Sequence, residues 1–238
     1  MSLAFLTPEA GELSARSPME RSAVRAGARI AAREGWNVAL DYGDPDLERT
    51  RVSASVGFAD RSSLTKLELL AEPELLARVL ADAGAVTLEQ GSASRTPGTW
   101  WCAVTPARAL VLSEPATGSA VRAAVLAAAE RAAGVSVIDV TCGLAGISLH
   151  GPGARELLAR FCAIDARPAA CPRRAFRPGS VARTPGYVLA ESDEGLLLLF
   201  GSALGEYLWE VVADAAEHLH GGPVGADALA RHLEALDA

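Results

Sequence analysis

The sequence predicts an α+β protein made of two pseudo-repeated, ferredoxin-like halves, each an antiparallel sheet covered by helices. Three observations lead there. First, two short words, Glu-Leu-Leu-Ala-Arg and Arg-Thr-Pro-Gly, each occur twice in the same order. They stand at 74–78 and 95–98, and again at 156–160 and 183–186. Such an internal repeat is a statement about architecture. Second, the elements around those words follow the same order in both halves: β, α, β, β, α, with room for a doubled opening strand. Third, the two late strands of each half are separated only by a turn, an order that favours antiparallel pairing under helices. The division expected is an N-terminal segment over 1–51 packing on the core, a first repeat over 52–134 and a second over 135–238.

Each element has a local reason. Residues 61–70 mix alternation with β-prone side chains and read as a strand. The helix that follows is entered through Pro73, which suits a first helical turn. It places Leu75, Leu76, Val79 and Leu80 on one face and closes at Gly84. After Arg-Thr-Pro-Gly come two β-like runs around a second turn. A long helix over 117–134 then puts Val121, Ala124, Val125 and Ala128 on one side. The second half repeats the scheme, with β-like runs at 135–140 and 145–151 and a helix entered through Pro152. Two further β-like runs, at 187–192 and 195–201, lead to a closing helix striped by Tyr207, Leu208, Val211, Val212 and Ala215. Each Pro-Gly pair is a turn signal in its own right, so the words are explained by packing and turn chemistry.

Composition limits the function. The 238 residues carry a net charge of -7, half are hydrophobic and 21% are charged. That balance argues against a nucleic-acid partner, which calls for a basic face. The most apolar helical stretch is interrupted by Arg122, Glu130 and Arg131, so no membrane span is expected. The first thirteen residues lack a basic leader and carry Glu9 and Glu12, which makes a poor secretory signal. The four cysteines, Cys102, Cys142, Cys162 and Cys171, form no Cys-x-x-Cys pair. Reduced thiols in a cytoplasmic protein are the expectation. His218 and His220, two apart before Gly221, read as a helix end rather than a metal site, because no third ligand stands out. No cysteine has an identifiable histidine partner, and no glycine-rich phosphate loop follows a strand.

Several stretches resemble the glycine-cleavage T-protein, an aminomethyltransferase. In 17–42 they are Ser17-Pro18, Gly27-Ala28-Arg29, Gly35-Trp36 and Tyr42. In 48–69 they are Glu48, Val52, Gly57, Asp60 and Ser62. The second half adds 149–158, which resembles a Gly-Pro-x-Ala turn and helix, and 182–187, which resembles Arg-Thr-Gly-Tyr. Segment 221–236 resembles the family's Ala-Arg-Asp-x-Leu-Arg segment in imperfect register. Residues 137–185 are also similar to the gamma subunit of heterotetrameric sarcosine oxidase. The resemblance spans roughly 17–236. It implies the T-protein folate-binding fold, tetrahydrofolate or a folate derivative as ligand, and an oxidase subunit or a lipoyl-carrier protein as partner. Its C-terminal barrel would begin where this sequence ends.

The departures from that family carry equal weight. Its acidic segment, which supplies a catalytic aspartate, is replaced by 92–106, which contains no Asp or Glu. The resemblance therefore implies folate binding in one-carbon metabolism without an assigned catalytic residue. The alternative is a non-catalytic gamma-type subunit of an oxidase complex, and a third is a fold whose pocket is filled by Trp36, Trp100 or Trp101. The candidate binding residues are Glu191 and Glu194, whose carboxylates can accept two adjacent donors from an aminopyrimidine edge. Arg231 is a candidate for a glutamate tail, and Trp36 and Tyr42 for stacking on a planar ring. Tyr187 joins them through the Arg-Thr-Gly-Tyr resemblance. Trp100 and Trp101, adjacent on a strand, should point to opposite faces, so at most one faces a pocket.

Overall fold

The computed structural model describes residues 14–86 and 88–237; the signal-peptide reading of residues 1–13 therefore lies outside the described residues. Helix α1 (Glu20–Arg25) leads into a two-stranded hairpin of β1 (Arg29–Arg33) and β2 (Trp36–Asp41). Helix α2 (Pro45–Ala54) follows, capped by Asp44, whose carboxylate accepts from the backbone N–H groups of Asp46 and Leu47, the usual remedy for unpaired N-terminal donors. The first half then runs β3 (Gly57–Asp60), β4 (Thr65–Leu70), α3 (Pro73–Asp82), β5 (Ala93–Thr96), β6 (Thr99–Thr105), β7 (Arg108–Ser113) and α4 (Pro115–Glu130). The second half runs β8 (Ser136–Asp139), β9 (Leu144–His150), α5 (Ala154–Ala159), β10 (Phe176–Val181), β11 (Thr184–Ala190), β12 (Gly195–Gly201) and α6 (Gly205–Glu217). Strand β13 (Gly222–Pro223) and helix α7 (Ala226–Asp237) complete it.

The strands form two large sheets, in the orders β5-β6-β7-β4-β8 and β10-β11-β12-β9-β3-β13. All pairs are antiparallel except β13 with β3. The opening strand of each half lies in the sheet of the other half, β3 beside β9 and β8 beside β4. This exchange obeys a pseudo-twofold relation that reaches single hydrogen bonds. Asp60 accepts from the Ser62 N–H at 2.8 Å, and Asp139 accepts from the Thr141 N–H at 2.9 Å. The Thr141 hydroxyl accepts from the Lys66 N–H, and the Ser62 hydroxyl accepts from the Gly146 N–H. The Val140 N–H donates to the Lys66 carbonyl as the Arg61 N–H donates to the Gly146 carbonyl. Arg61 and Val140 are therefore equivalent positions, one charged and one apolar.

The sheets stack face to face with helices outside. Between them lie Leu64, Trp100, Cys102, Leu110, Leu112, Phe176, Leu189, Leu197 and Leu199. Beneath α3 and α4 the opposite faces supply Leu67, Leu69, Trp101, Ala109 and Val111. Beneath α1, α5 and α6 they supply Ala145, Ile147, Leu149, Leu196, Leu198 and Phe200. The period-two alternation of each strand produces this division.

Three local expectations are corrected. The two Arg-Thr-Pro-Gly words are not the same turn twice. The first supplies the Pro97–Gly98 loop between β5 and β6, with Gly98 at φ +68°. The second begins at the hairpin tip, where Ala182 and Arg183 both take positive φ, and Pro185 and Gly186 already pair within β11. The β10–β11 ladder is simply longer. On α6, Tyr207 is 44% exposed and the buried stripe is Leu208, Trp209, Val212 and Ala216. At the helix end, His220 takes the left-handed conformation (φ +56°), while a Cβ on Gly221 would meet the Val56 carbonyl oxygen at 2.5 Å.

Candidate functional site

The exchange places Arg61, in the turn between β3 and β4, at the centre of the molecule, where two cavities meet. Its guanidinium is paired with Glu114 at 2.5 Å, just ahead of α4, and stands 3.9 Å from Glu191, which follows β11. One cavity, of about 470 Å³, is lined by Trp36, Val38, Asp60, Ala116, Val224 and Leu229 among others. The other, of about 390 Å³, is lined by Trp100, Arg95, His150, Arg173, Glu191 and Glu194 among others. Arg61, Glu114 and Leu233 border both. A cleft lined by apolar walls and a few convergent polar groups is the usual form of a small-molecule site.

The polar groups of the second chamber are unusually short of partners. Arg61 Nη1, Glu191 Oε2 and both ring nitrogens of His150 are buried without a hydrogen bond, as is the Ser148 hydroxyl two residues before His150 on the same face of β9. Burial raises the Glu191 carboxyl, while Arg61 pulls it down and Glu114 pushes it up. Arg61 is held charged by Glu114 and Glu191 against the cost of its own burial. Burial, with Arg61 and His232 nearby, lowers His150 to about 3, so its imidazole is neutral. Unsatisfied buried groups are rare because each forfeits its bonds to water, and four such atoms belong to Arg61, Glu191 and His150, which line one chamber.

The first chamber has a different character. Burial raises the Asp60 carboxyl, opposed by hydrogen bonds from Ser17 and Ser62 and by Lys66. The Lys66 ammonium is buried and donates to the carbonyls of Ser62 and Leu64 at 2.8 Å each. Desolvation lowers it to about 8.

The residues singled out by sequence are spread across the fold. Trp36 lines the first chamber, and Glu191 and Glu194 line the second. Tyr42 packs against Trp209 with ring centroids 6.2 Å apart, and burial raises its phenol, helped by Asp60 and Glu48. Tyr187 stacks on Phe176 at 5.2 Å between the sheets. Arg231 lies exposed on α7, 3.5 Å from Asp46, and borders neither chamber. Trp100 faces the second chamber, whereas Trp101 turns to the helix side and donates its indole N–H to Thr96. Trp36 and Trp100 therefore wall the hollow without filling it, and Trp101 lies outside it. Sequence reasoning missed Arg61, Glu114 and His150. The signal for His150 was present: Gly146, Ser148 and His150 occupy one face of a strand whose other face is Ala145, Ile147 and Leu149.

Among the described residues no group of three or more His, Cys, Asp or Glu side chains could hold a metal ion, and no helix is long and apolar enough to cross a membrane. The four cysteines are free thiols.

Two pseudo-symmetric sheets with exchanged strands, enclosing a divided cleft at their junction, define the class of protein. The fold is similar to that of aminomethyltransferase T of the glycine cleavage system from Bartonella henselae, at a TM-score of 0.75 and 16% identity; the match covers 90% of this chain and 60% of that one. It is also similar to that of a chain of heterotetrameric sarcosine oxidase from Corynebacterium sp. U-96, solved in complex with pyrrole 2-carboxylate. There the TM-score is 0.68 at 20% identity, covering 86% of this chain and 96% of that one. The chain thus has the T-protein fold and spans 60% of the length of that aminomethyltransferase. No protein-family model and no curated protein sequence matches it.

Proposed function

We propose that this chain binds a folate, with the pterin ring in the second chamber and the rest of the molecule extending past Arg61 toward the first. The observation that carries this reading is the 3.9 Å ion pair of Arg61 Nη1 and Glu191 Oε2, both atoms buried and without a hydrogen bond, in the chamber that Trp100 lines. A ring presenting a carbonyl and an adjacent N–H satisfies both atoms at once, and an indole wall suits a flat heterocycle. Glu191 is the pterin contact and Glu194 stands at the rim, while Trp36 offers an apolar wall to the distal part. The role is in one-carbon metabolism, with binding favoured over aminomethyl transfer because the strand pair over 93–105 carries no Asp or Glu. Calorimetry with tetrahydrofolate or folinic acid tests this directly. Ligand at a hundred times its dissociation constant should add ~2.7 kcal/mol of stability. Absence of both heat and a melting-temperature rise at millimolar ligand refutes it.

A second reading has its own support. The match to a chain of heterotetrameric sarcosine oxidase runs over 96% of that chain at a TM-score of 0.68, which supports a subunit of an oxidase-like complex. Co-expression with candidate oxidase subunits and gel filtration would reveal a stable complex, and consistent separate elution would dismiss it. A cytoplasmic location fits either reading and is testable by fractionation.

A further inference from the structure

His150 is 2% exposed at the end of β9, yet neither ring nitrogen has a hydrogen-bond partner. Among the described residues its ring meets that of His232 edge-on, with centroids 5.8 Å apart. It borders the second chamber beside Arg61 and Glu191. A side chain needed there for volume alone would be met by methionine or leucine, with no polar atoms to desolvate. A neutral imidazole instead offers one donor and one acceptor. A ring whose lactam-type edge is read by Arg61 and Glu191 has a further polar atom to satisfy, and His150 lines the same chamber as a neutral donor and acceptor.

We infer that His150 determines which ring the second chamber accepts. It selects an uncharged cyclic amide carrying a further hydrogen-bonding atom on the edge beside the one read by Arg61 and Glu191. The inference rests on the folate reading for the natural ligand, but the ring alone can test it. A chamber that selects through buried hydrogen bonds discriminates sharply, because an analogue lacking the atom leaves the protein group unpaired.

The test uses the full chain, folinic acid and free pterin as probes, and the variants His150→Met and His150→Gln. The methionine variant removes two unpaired polar atoms at similar volume, so its melting temperature should equal or exceed that of the wild type. Its affinity for both probes should fall at least about tenfold, the effect of losing one good hydrogen bond. Glutamine, which restores a donor and an acceptor, should recover most of that loss. Undiminished binding by His150→Met overturns the inference and leaves folate binding intact. A destabilised methionine variant with glutamine equally weak assigns His150 to packing and also overturns it. Binding of pterin without folinic acid, with the same variant ranking, upholds His150 and refutes the folate reading. Binding of neither probe refutes both.

Discussion

Replacing Arg61 by methionine should expose how the centre of the molecule is held. The Arg61 side chain is 9% exposed and that of Glu191 13% exposed, and Arg61 also pairs with Glu114, which is 46% exposed. Removing the guanidinium leaves Glu191 buried without its countercharge. Breaking a buried pair from one side costs ~3–5 kcal/mol. Glu191 is already raised by burial and can take up a proton, which places the effect near the lower end. At ~2–4 °C per kcal/mol for a chain of this size, a loss of about 3 kcal/mol lowers the melting temperature by about 6–12 °C. The loss should also depend on pH. With the carboxyl raised in the folded state, the folded protein binds the proton more tightly, and stability falls as pH rises above the unfolded carboxyl range. Arg61→Met raises Glu191 further and extends that fall to higher pH. The double variant Arg61→Met/Glu191→Gln removes both charges and should recover most of the stability. Thermal melts of the wild type, both single variants and the double variant between pH 5 and 8 give the coupling. Additive effects with no change in pH dependence would refute the reasoning.

Two other outcomes are expected. His150 is held near 3 in the folded protein against about 6.5 when unfolded, so the unfolded chain binds the extra proton between those values. Stability should therefore fall as pH drops through that window, by up to ~1.4 kcal/mol per pH unit. Asp60 and Glu191 are raised and act in the opposite sense, so the quantity to measure is the difference in urea midpoint between the wild type and His150→Met; a constant difference would contradict the assignment. Gly118 lets α4 approach β4, and a Cβ there would stand 2.1 Å from the Thr65 hydroxyl oxygen. Gly118→Ala should cost ~1–3 kcal/mol by overpacking despite its better helix propensity, read by chemical denaturation, and a stabilised variant would show that the contact relaxes freely.

Local pattern reveals much of this fold and little of its centre. The late strands and the presence of both long helices follow from alternation and from the 3.6-residue period, although Ala124, expected on the buried face of α4, is exposed; the split between Trp100 and Trp101 follows from strand geometry. The exchange of β3 and β8 does not, because alternation marks a buried face without naming the neighbouring strand. The repeated Arg-Thr-Pro-Gly misled for a similar reason: a turn word carries no register, and the second hairpin extends two pairs beyond the first. Glu191 and Glu194 were visible as carboxylates in a turn after an apolar strand. Arg61 and Glu114 were not, since a single charge beside a strand or ahead of a helix reads as solvated until two distant segments meet around it. Arg231 shows the converse, a plausible cation on a helix whose face turns outward.

The most direct measurement is a crystal structure of the chain grown with saturating folinic acid. The expected result is a pterin ring against Trp100, its polar edge bonded to Arg61 and Glu191 and its neighbouring edge to His150. A ligand bound elsewhere, or a cleft that stays free of it at concentrations that saturate the solution titration, would contradict it.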